Sequence, residues 1–242
     1  MAPRDDRPTL GILMLDNAFD RFPGDLGNPA TFDFPVLYAR TAGATTEAIT
    51  TIQDDQFLEP FTRAAESLIA QGADGIITSC GFLAIYQREF ARRLSVPVAT
   101  SALLQVPWVE RLLPAGKRVG VITFNGASLG KAHLDGVGAA LDTPVVGLVD
   151  DGRFRRALLG DASADSFAAR EAEAIEAAER LIRLHPAVGA IVLECTNLVP
   201  HAAAIHDATR LPVYDVMTLV RWFHAGLRPA TWARTPVTGR FG

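Results

Sequence analysis

The sequence is poor in lysine, although it holds 21 arginines. It carries only two lysines, Lys117 and Lys131, and a formal net charge of −4. Without a basic stripe, nucleic acid and an anionic membrane surface are excluded as partners. The lysines fall at a strand start and on a helix, so neither is a candidate for a pyridoxal Schiff base. No apolar run approaches the roughly 20 residues that a bilayer crossing needs. The charged start, Met1 to Arg7, has no apolar signal-peptide core behind it. A cytoplasmic location is expected, where thiols stay reduced, so Cys80 and Cys195, the two cysteines, are read as free. Gly24, Asp25, Gly27 and Asn28 match neither a dinucleotide fingerprint nor a phosphate loop. His133, His185, His201, His206 and His224 show no zinc-ligand spacing and are expected at the surface. No cofactor and no metal are therefore expected, and no Ser/Gly-rich linker divides the chain.

What is present is enough apolar sequence, 49% against 21% charged, to bury a real core. β-type runs alternate with helical stretches throughout, the pattern of an α/β fold with mostly parallel strands. Strands are expected at Leu10 to Leu15, Gly75 to Thr78, Val96 to Ala99, Arg118 to Thr123, Pro144 to Val149, Ala190 to Glu194 and Pro212 to Tyr214. Apolar faces at helical spacing run through Phe57, Leu58, Phe61, Ala65 and Leu68, and through Phe167, Ala168, Ile175, Ala178 and Leu181.

The most informative pattern is an internal repeat. A shift of 115 positions lays Gly75-Ile76-Ile77 on Ala190-Ile191-Val192, Cys80 on Cys195, and Val96-Pro97-Val98 on Leu211-Pro212-Val213. Each half also opens on a similar strand, Leu10-Gly11-Ile12-Leu13 and Val119-Gly120-Val121-Ile122, and its later strand leads into a helical stretch containing Trp108 or Trp222. The chain thus reads as two pseudosymmetric α/β lobes, residues 1–99 with 215–242 and residues 100–214, with the site between them.

Both cysteines follow a buried-looking strand at the turn into a helix, where open α/β sheets bind ligands. The helix-start amides are expected to lower their thiol pKa. Two thiols facing one carbon suit proton removal on one side and delivery on the other. Ser79, Thr196, Asn197 and the helix-start amides are candidate donors to the enolate. Glu194 can be read as a base partner, a contact to a polar substrate group, or an outward strand-end residue. Asp16 and Asn17 after the first strand, and Thr123, Asn125 and Ser128 after the first strand of the second half, can bind substrate or simply form turns and caps.

Cys80, Cys195, Thr196 and the Asp16-Asn17 pair resemble the aspartate/glutamate racemase superfamily, which includes hydantoin racemases, arylmalonate decarboxylase and maleate isomerase. The resemblance spans nearly the whole chain. It implies a two-lobed fold, a cysteine acid or base from each lobe, no cofactor, a small carboxylate or carbonyl substrate and a homo-oligomer. Departures are Gly81-Phe82, where amino-acid racemases carry Asn-Thr, Glu194 in place of Gly, and Asn197 in place of His. Phe82, with Phe19, Phe22, Phe32 and Phe34 in the long first loop, points to a less polar pocket than glutamate needs. The expected activity is racemisation or epimerisation of an amino acid or related carbon acid, a hydantoin included. The competing readings are an arylmalonate decarboxylase-like or maleate isomerase-like enzyme, and a two-lobed small-molecule binding protein.

Overall fold

A computed structural model describes residues 7–51, 55–161, 163 and 166–232. Residues 1–6 and 233–242, which the first expected lobe includes, lie outside the described residues. The first half contains β1 (Leu10–Met14), β2 (Val36–Arg40), α1 (Thr46–Thr51), α2 (Leu58–Ala70), β3 (Gly75–Thr78), α3 (Gln87–Arg93), β4 (Val98–Ala99) and α4 (Val106–Leu112). The second contains β5 (Arg118–Thr123), α5 (Lys131–Gly136), β6 (Val145–Gly147), α6 (Arg153–Leu158), α7 (Phe167–Leu184), β7 (Val188–Leu193), α8 (Ala202–Thr209), β8 (Val213–Tyr214) and α9 (Val216–Leu227).

The strands form two four-stranded parallel sheets of the same order, β2-β1-β3-β4 and β6-β5-β7-β8. Their central strands read as continuous apolar runs because helices cover both faces. The repeat reaches the packing of single residues. A Cβ on Gly11 of β1 would stand 2.7 Å from Ile76 and 3.2 Å from Leu68 of α2; one on Gly120 of β5 would stand 2.7 Å from Leu181 of α7 and 2.9 Å from Val188. Each glycine lets its helix lie close on its sheet.

The two halves exchange a helix. α4 follows the first sheet but packs on the second, where Glu110 accepts the Val119 N–H at 2.7 Å. α9 follows the second sheet but packs on the first, its Phe223 and Leu227 lying 2.9 Å from where a Gly75 side chain would begin. Trp108 of α4 meets Trp222 of α9 edge to face, with centroids 4.4 Å apart. No helix among the described residues is long and apolar enough to cross a membrane.

Two sequence expectations need correction. β2 was not expected: it is a half-exposed edge strand, so Val36-Leu-Tyr-Ala-Arg carries too little apolar signal to stand out. His133 and His201 are buried, not at the surface. His133 packs edge to face against Phe82, with centroids 5.0 Å apart, and His201 against Phe154 at 5.6 Å.

Candidate functional site

β3 and β7 end alike. Ser79 N–H reaches Leu13 O on β1 at 2.9 Å, and Glu194 N–H reaches Ile122 O on β5 at 2.9 Å. One residue later each cysteine leaves the sheet in extended conformation and caps a 3-10 turn, Gly81–Tyr86 or Thr196–His201, that runs on into α3 or α8. Pairing Leu13 with Ile122 puts Leu15 in register with Phe124. The Leu15 N–H donates to Ser79 Oγ at 3.4 Å, and the Phe124 N–H to the Glu194 carboxylate. The halves are joined here by Thr196, whose hydroxyl donates to Ser79 O at 2.7 Å.

Both thiols open on one crevice of about 390 Å³, counting its mouth. The first half contributes Leu15, Asn17, Thr46, Thr50, Ser79, Cys80, Gly81 and Phe82; the second contributes Phe124, Leu158, Glu194, Cys195, Thr196 and Asn197. The remaining expected site residues lie elsewhere. Thr123 is fully buried and donates to Glu194 Oε2 at 2.6 Å, so it acts on the crevice only through that carboxyl. Asn125 Oδ1 accepts the N–H groups of Ala127 and Ser128 at 3.1 and 3.3 Å, the cap reading of that turn. Asp16 accepts the Gly43 N–H at 2.9 Å and faces an adjoining hollow rather than the thiols. Phe19, Phe22, Phe32 and Phe34 do not line the crevice either; its aromatic walls are Phe82 and Phe124.

The expected lowering of the thiol pKa is also corrected. Burial pushes Cys80 up to about 12, and the Glu194 charge adds to the rise; the N–H groups of Phe82 and Leu83 oppose it without reversing it. Burial first and Glu194 second likewise hold Cys195 well above the ordinary thiol range, against one N–H donor, that of Asn197. Partial charges at a helix start do not match the loss of hydration around a sulfur largely withdrawn from water. Glu194 is itself lifted by burial to about 7, although the Thr123 hydroxyl and Phe124 N–H favour its ionised form.

Leu15, Thr46, Thr50, Phe124 and Leu158 of the lining were not among the expected site residues, nor was Asp25 behind it. Asp25, in the loop after β1, is 2% exposed and binds the side-chain amide of Asn197 through Oδ2. Its other oxygen takes Arg21 at 2.9 Å and the Gly27 N–H at 2.7 Å. With its NH2 group so engaged, Asn197 turns Oδ1 toward Cys195, 3.7 Å from the sulfur. Asp25 reads in sequence as one more turn former between two glycines; only its separation from a Gly-Asp-x-Gly turn by function, not by pattern, marks it. Leu15 and Phe124 could have been found by sliding the two opening strands onto each other.

The arrangement can abstract a proton from a small carbon acid once a thiolate forms, with hydroxyl donors at hand. Thr46 Oγ1 accepts from Asn17 at 2.8 Å and Ser79 Oγ from Leu15 N; among the described residues neither hydroxyl proton has an acceptor.

No protein-family model matches the chain. Among curated proteins it is 32% identical over 234 residues to dimethylsulfoniopropionate lyase 5 of Emiliania huxleyi (strain CCMP1516), covering 90% of this chain but 45% of that one. It is 30% identical over 233 residues to the dimethylsulfoniopropionate lyase of Durusdinium sp. clade D, covering 93% of this chain and 76% of that one. The chain therefore spans less than half the length of the first of these relatives. Among solved structures, unliganded arylmalonate decarboxylase superposes with a TM-score of 0.61 at 18% identity, over 95% of this chain and 96% of that one. Glutamate racemase isoform RacE1 from Bacillus anthracis superposes with a TM-score of 0.56 at 13% identity, over 91% and 83%. On a two-lobed fold like those of arylmalonate decarboxylase and glutamate racemase, the chain belongs to the dimethylsulfoniopropionate lyase family.

Proposed function

We propose that the chain is a carbon–sulfur lyase that releases dimethyl sulfide from dimethylsulfoniopropionate or a close 3-sulfoniopropionate. The observation that carries this reading is the pair of thiols on one small crevice, in a chain whose sequence relatives are named for that reaction. A thiolate takes a proton from the carbon beside the carboxylate. The C–H electron pair becomes the carbon–carbon double bond, and the C–S pair departs with the sulfur. The products are acrylate, neutral dimethyl sulfide and a protonated thiol, which returns its proton to solvent. Charge building on the substrate carboxylate meets the Ser79 and Thr46 hydroxyls. No step needs a cofactor or an oxidant.

The expected racemase activity shares the first step and differs in the second, where a thiol on the far face returns a proton. Two thiols on one crevice support it as the second reading. Incubation in deuterated water, followed by NMR, separates the two. The lyase converts dimethylsulfoniopropionate to acrylate, whereas a racemase returns single-enantiomer carbon acids deuterated and inverted. Acrylate formation without such exchange supports the lyase. Exchange across a carbon-acid panel with no acrylate replaces it by the racemase.

A further inference from the structure

Besides the thiols, Glu194 brings to the crevice a chemical group that the fold does not require. It is 1% exposed, and its first-half counterpart is Ser79. Each side chain accepts the N–H of the residue that follows the neighbouring strand, Leu15 for Ser79 and Phe124 for Glu194. A hydroxyl meets that need in the first half, so a carboxyl in the second is in excess of structure. The surroundings make room for it. A Cβ on Gly81 would lie 2.2 Å from Glu194 Oε1 and 2.5 Å from Glu194 O, so a side chain at 81 would press on both the carboxyl and the backbone of Glu194.

A buried carboxylate ordinarily has a cationic partner, because the ion is costly to desolvate alone. Among the described residues Glu194 has no ion pair, and no lysine or arginine lines the crevice. The Arg155 guanidinium stands behind the crevice wall, 5.0 Å from the centroid of Phe124, and is already paired with Asp150. Phe82 and Phe124 add aromatic surface, which favours soft organic cations over small hydrated ones.

We infer that the Glu194 carboxylate is the seat of the substrate's onium centre and determines specificity for sulfonium or quaternary ammonium carboxylates. The inference rests on the lyase reading for the identity of the natural onium group, but not for the preference itself. It has a consequence for the thiols. Ionised Glu194 opposes thiolate formation at both Cys80 and Cys195. A bound cation offsets that field and so lowers the share of the thiol rise that Glu194 contributes, while the larger share, from burial, remains.

Calorimetric titration with two shape-matched ligands tests this: 3-(trimethylammonio)propionate, and 4,4-dimethylpentanoate, which replaces the charged nitrogen by carbon. At pH 8 the wild type is expected to bind the zwitterionic ammonium ligand about tenfold more tightly or better than the pentanoate, as a charge-assisted contact in a dry site implies. Glu194→Gln is expected to bring the two affinities within about twofold while still binding the pentanoate, which also reports that the variant is folded. In the wild type the preference is expected to shrink between pH 8 and pH 5.5, as Glu194 takes up its proton near 7. The other titratable or charged groups around it are Cys80 and Cys195, displaced above this range, Asp25 beyond Asn197, His133 behind Phe82 and Arg155 behind Phe124. Equal wild-type affinities, binding of neither ligand, or a preference undiminished in Glu194→Gln overturns the inference. If that variant does not fold, a wild-type preference constant with pH overturns it. None of these outcomes depends on turnover, so a protein that prefers the cation yet releases no dimethyl sulfide defeats the lyase reading alone.

Discussion

The turn after β3 and the turn after β7 have the same backbone and different chemistry. Ser79-Cys80-Gly81-Phe82 and Glu194-Cys195-Thr196-Asn197 anchor to the neighbouring strand through the same N–H, and each turn closes alike, Leu83 N to Cys80 O at 3.2 Å and Leu198 N to Cys195 O at 3.0 Å. Around Cys80 the side chains are small or apolar, and two amides point at the sulfur. Around Cys195 stand a buried carboxyl and an amide held by Asp25. The repeated backbone fixes where two thiols stand; the residues flanking them decide what each can do. An elimination needs one base, whereas inversion of a stereocentre needs two equivalent ones, so the asymmetry itself favours the lyase.

The largest expected effect breaks the comparison at the sulfurs. Replacing the two cysteines singly by alanine should give unequal losses of dimethyl sulfide release: about 10²–10⁴ in kcat for the thiol that serves as base, and about tenfold or less for the other. Equal, complete losses would instead show that the elimination needs both thiols.

Next comes the carboxyl that only the second half carries. Because the folded Glu194 holds its proton up to about 7 against 4.5 when unfolded, its contribution to stability is full below pH 4.5 and lost as the pH rises through 7. Glu194→Gln should therefore be more stable than the wild type at pH 8, by up to ~3 kcal/mol, and no more stable at pH 4.5. Denaturant titration at the two pH values reads the difference; a gap independent of pH would mean that the carboxyl is not the titrating group.

Gly81 sharpens the comparison from the first half, since its second-half counterpart is a threonine. Gly81→Ala should cost about 1–3 kcal/mol, because its methyl group meets both the Glu194 carboxyl and, at 2.5 Å, the Glu194 backbone carbonyl, and pairing it with Glu194→Ala should recover only the part of that loss due to the carboxyl. Additive losses in the double variant would show that the two side chains do not press on each other. The smallest effect is expected at Asp25, which positions Asn197 without lining the crevice. Asp25→Asn should lower kcat by about tenfold and change the alkylation rate of Cys195 by iodoacetamide while leaving that of Cys80 unaltered. Equal changes at both thiols would mark a general loosening of the fold instead.

The strands, their parallel order and the equivalence of the cysteines were legible because buried parallel strands are continuous apolar runs and the repeat keeps one spacing from strand to thiol. β2 was not, since an edge strand with alternating exposure has no such run. The thiols and their immediate neighbours could be read at the crevice from the strand-end rule alone. Thr46, Thr50 and Leu158 reach it from α1 and α6, short helices whose patterns are too brief to place. Asp25 escaped because its partner Asn197 lies 172 residues away. The direction of the thiol shift was misread for a different reason: sequence shows the amides at a helix start, but not how completely the sulfur is cut off from water.

Headspace chromatography of dimethyl sulfide above the purified wild-type protein and dimethylsulfoniopropionate tests the assigned chemistry most directly. Dimethyl sulfide and acrylate are expected in equal amounts, formed catalytically and absent from the double cysteine-to-alanine variant. Folded wild-type protein that yields no dimethyl sulfide above the buffer rate would contradict it.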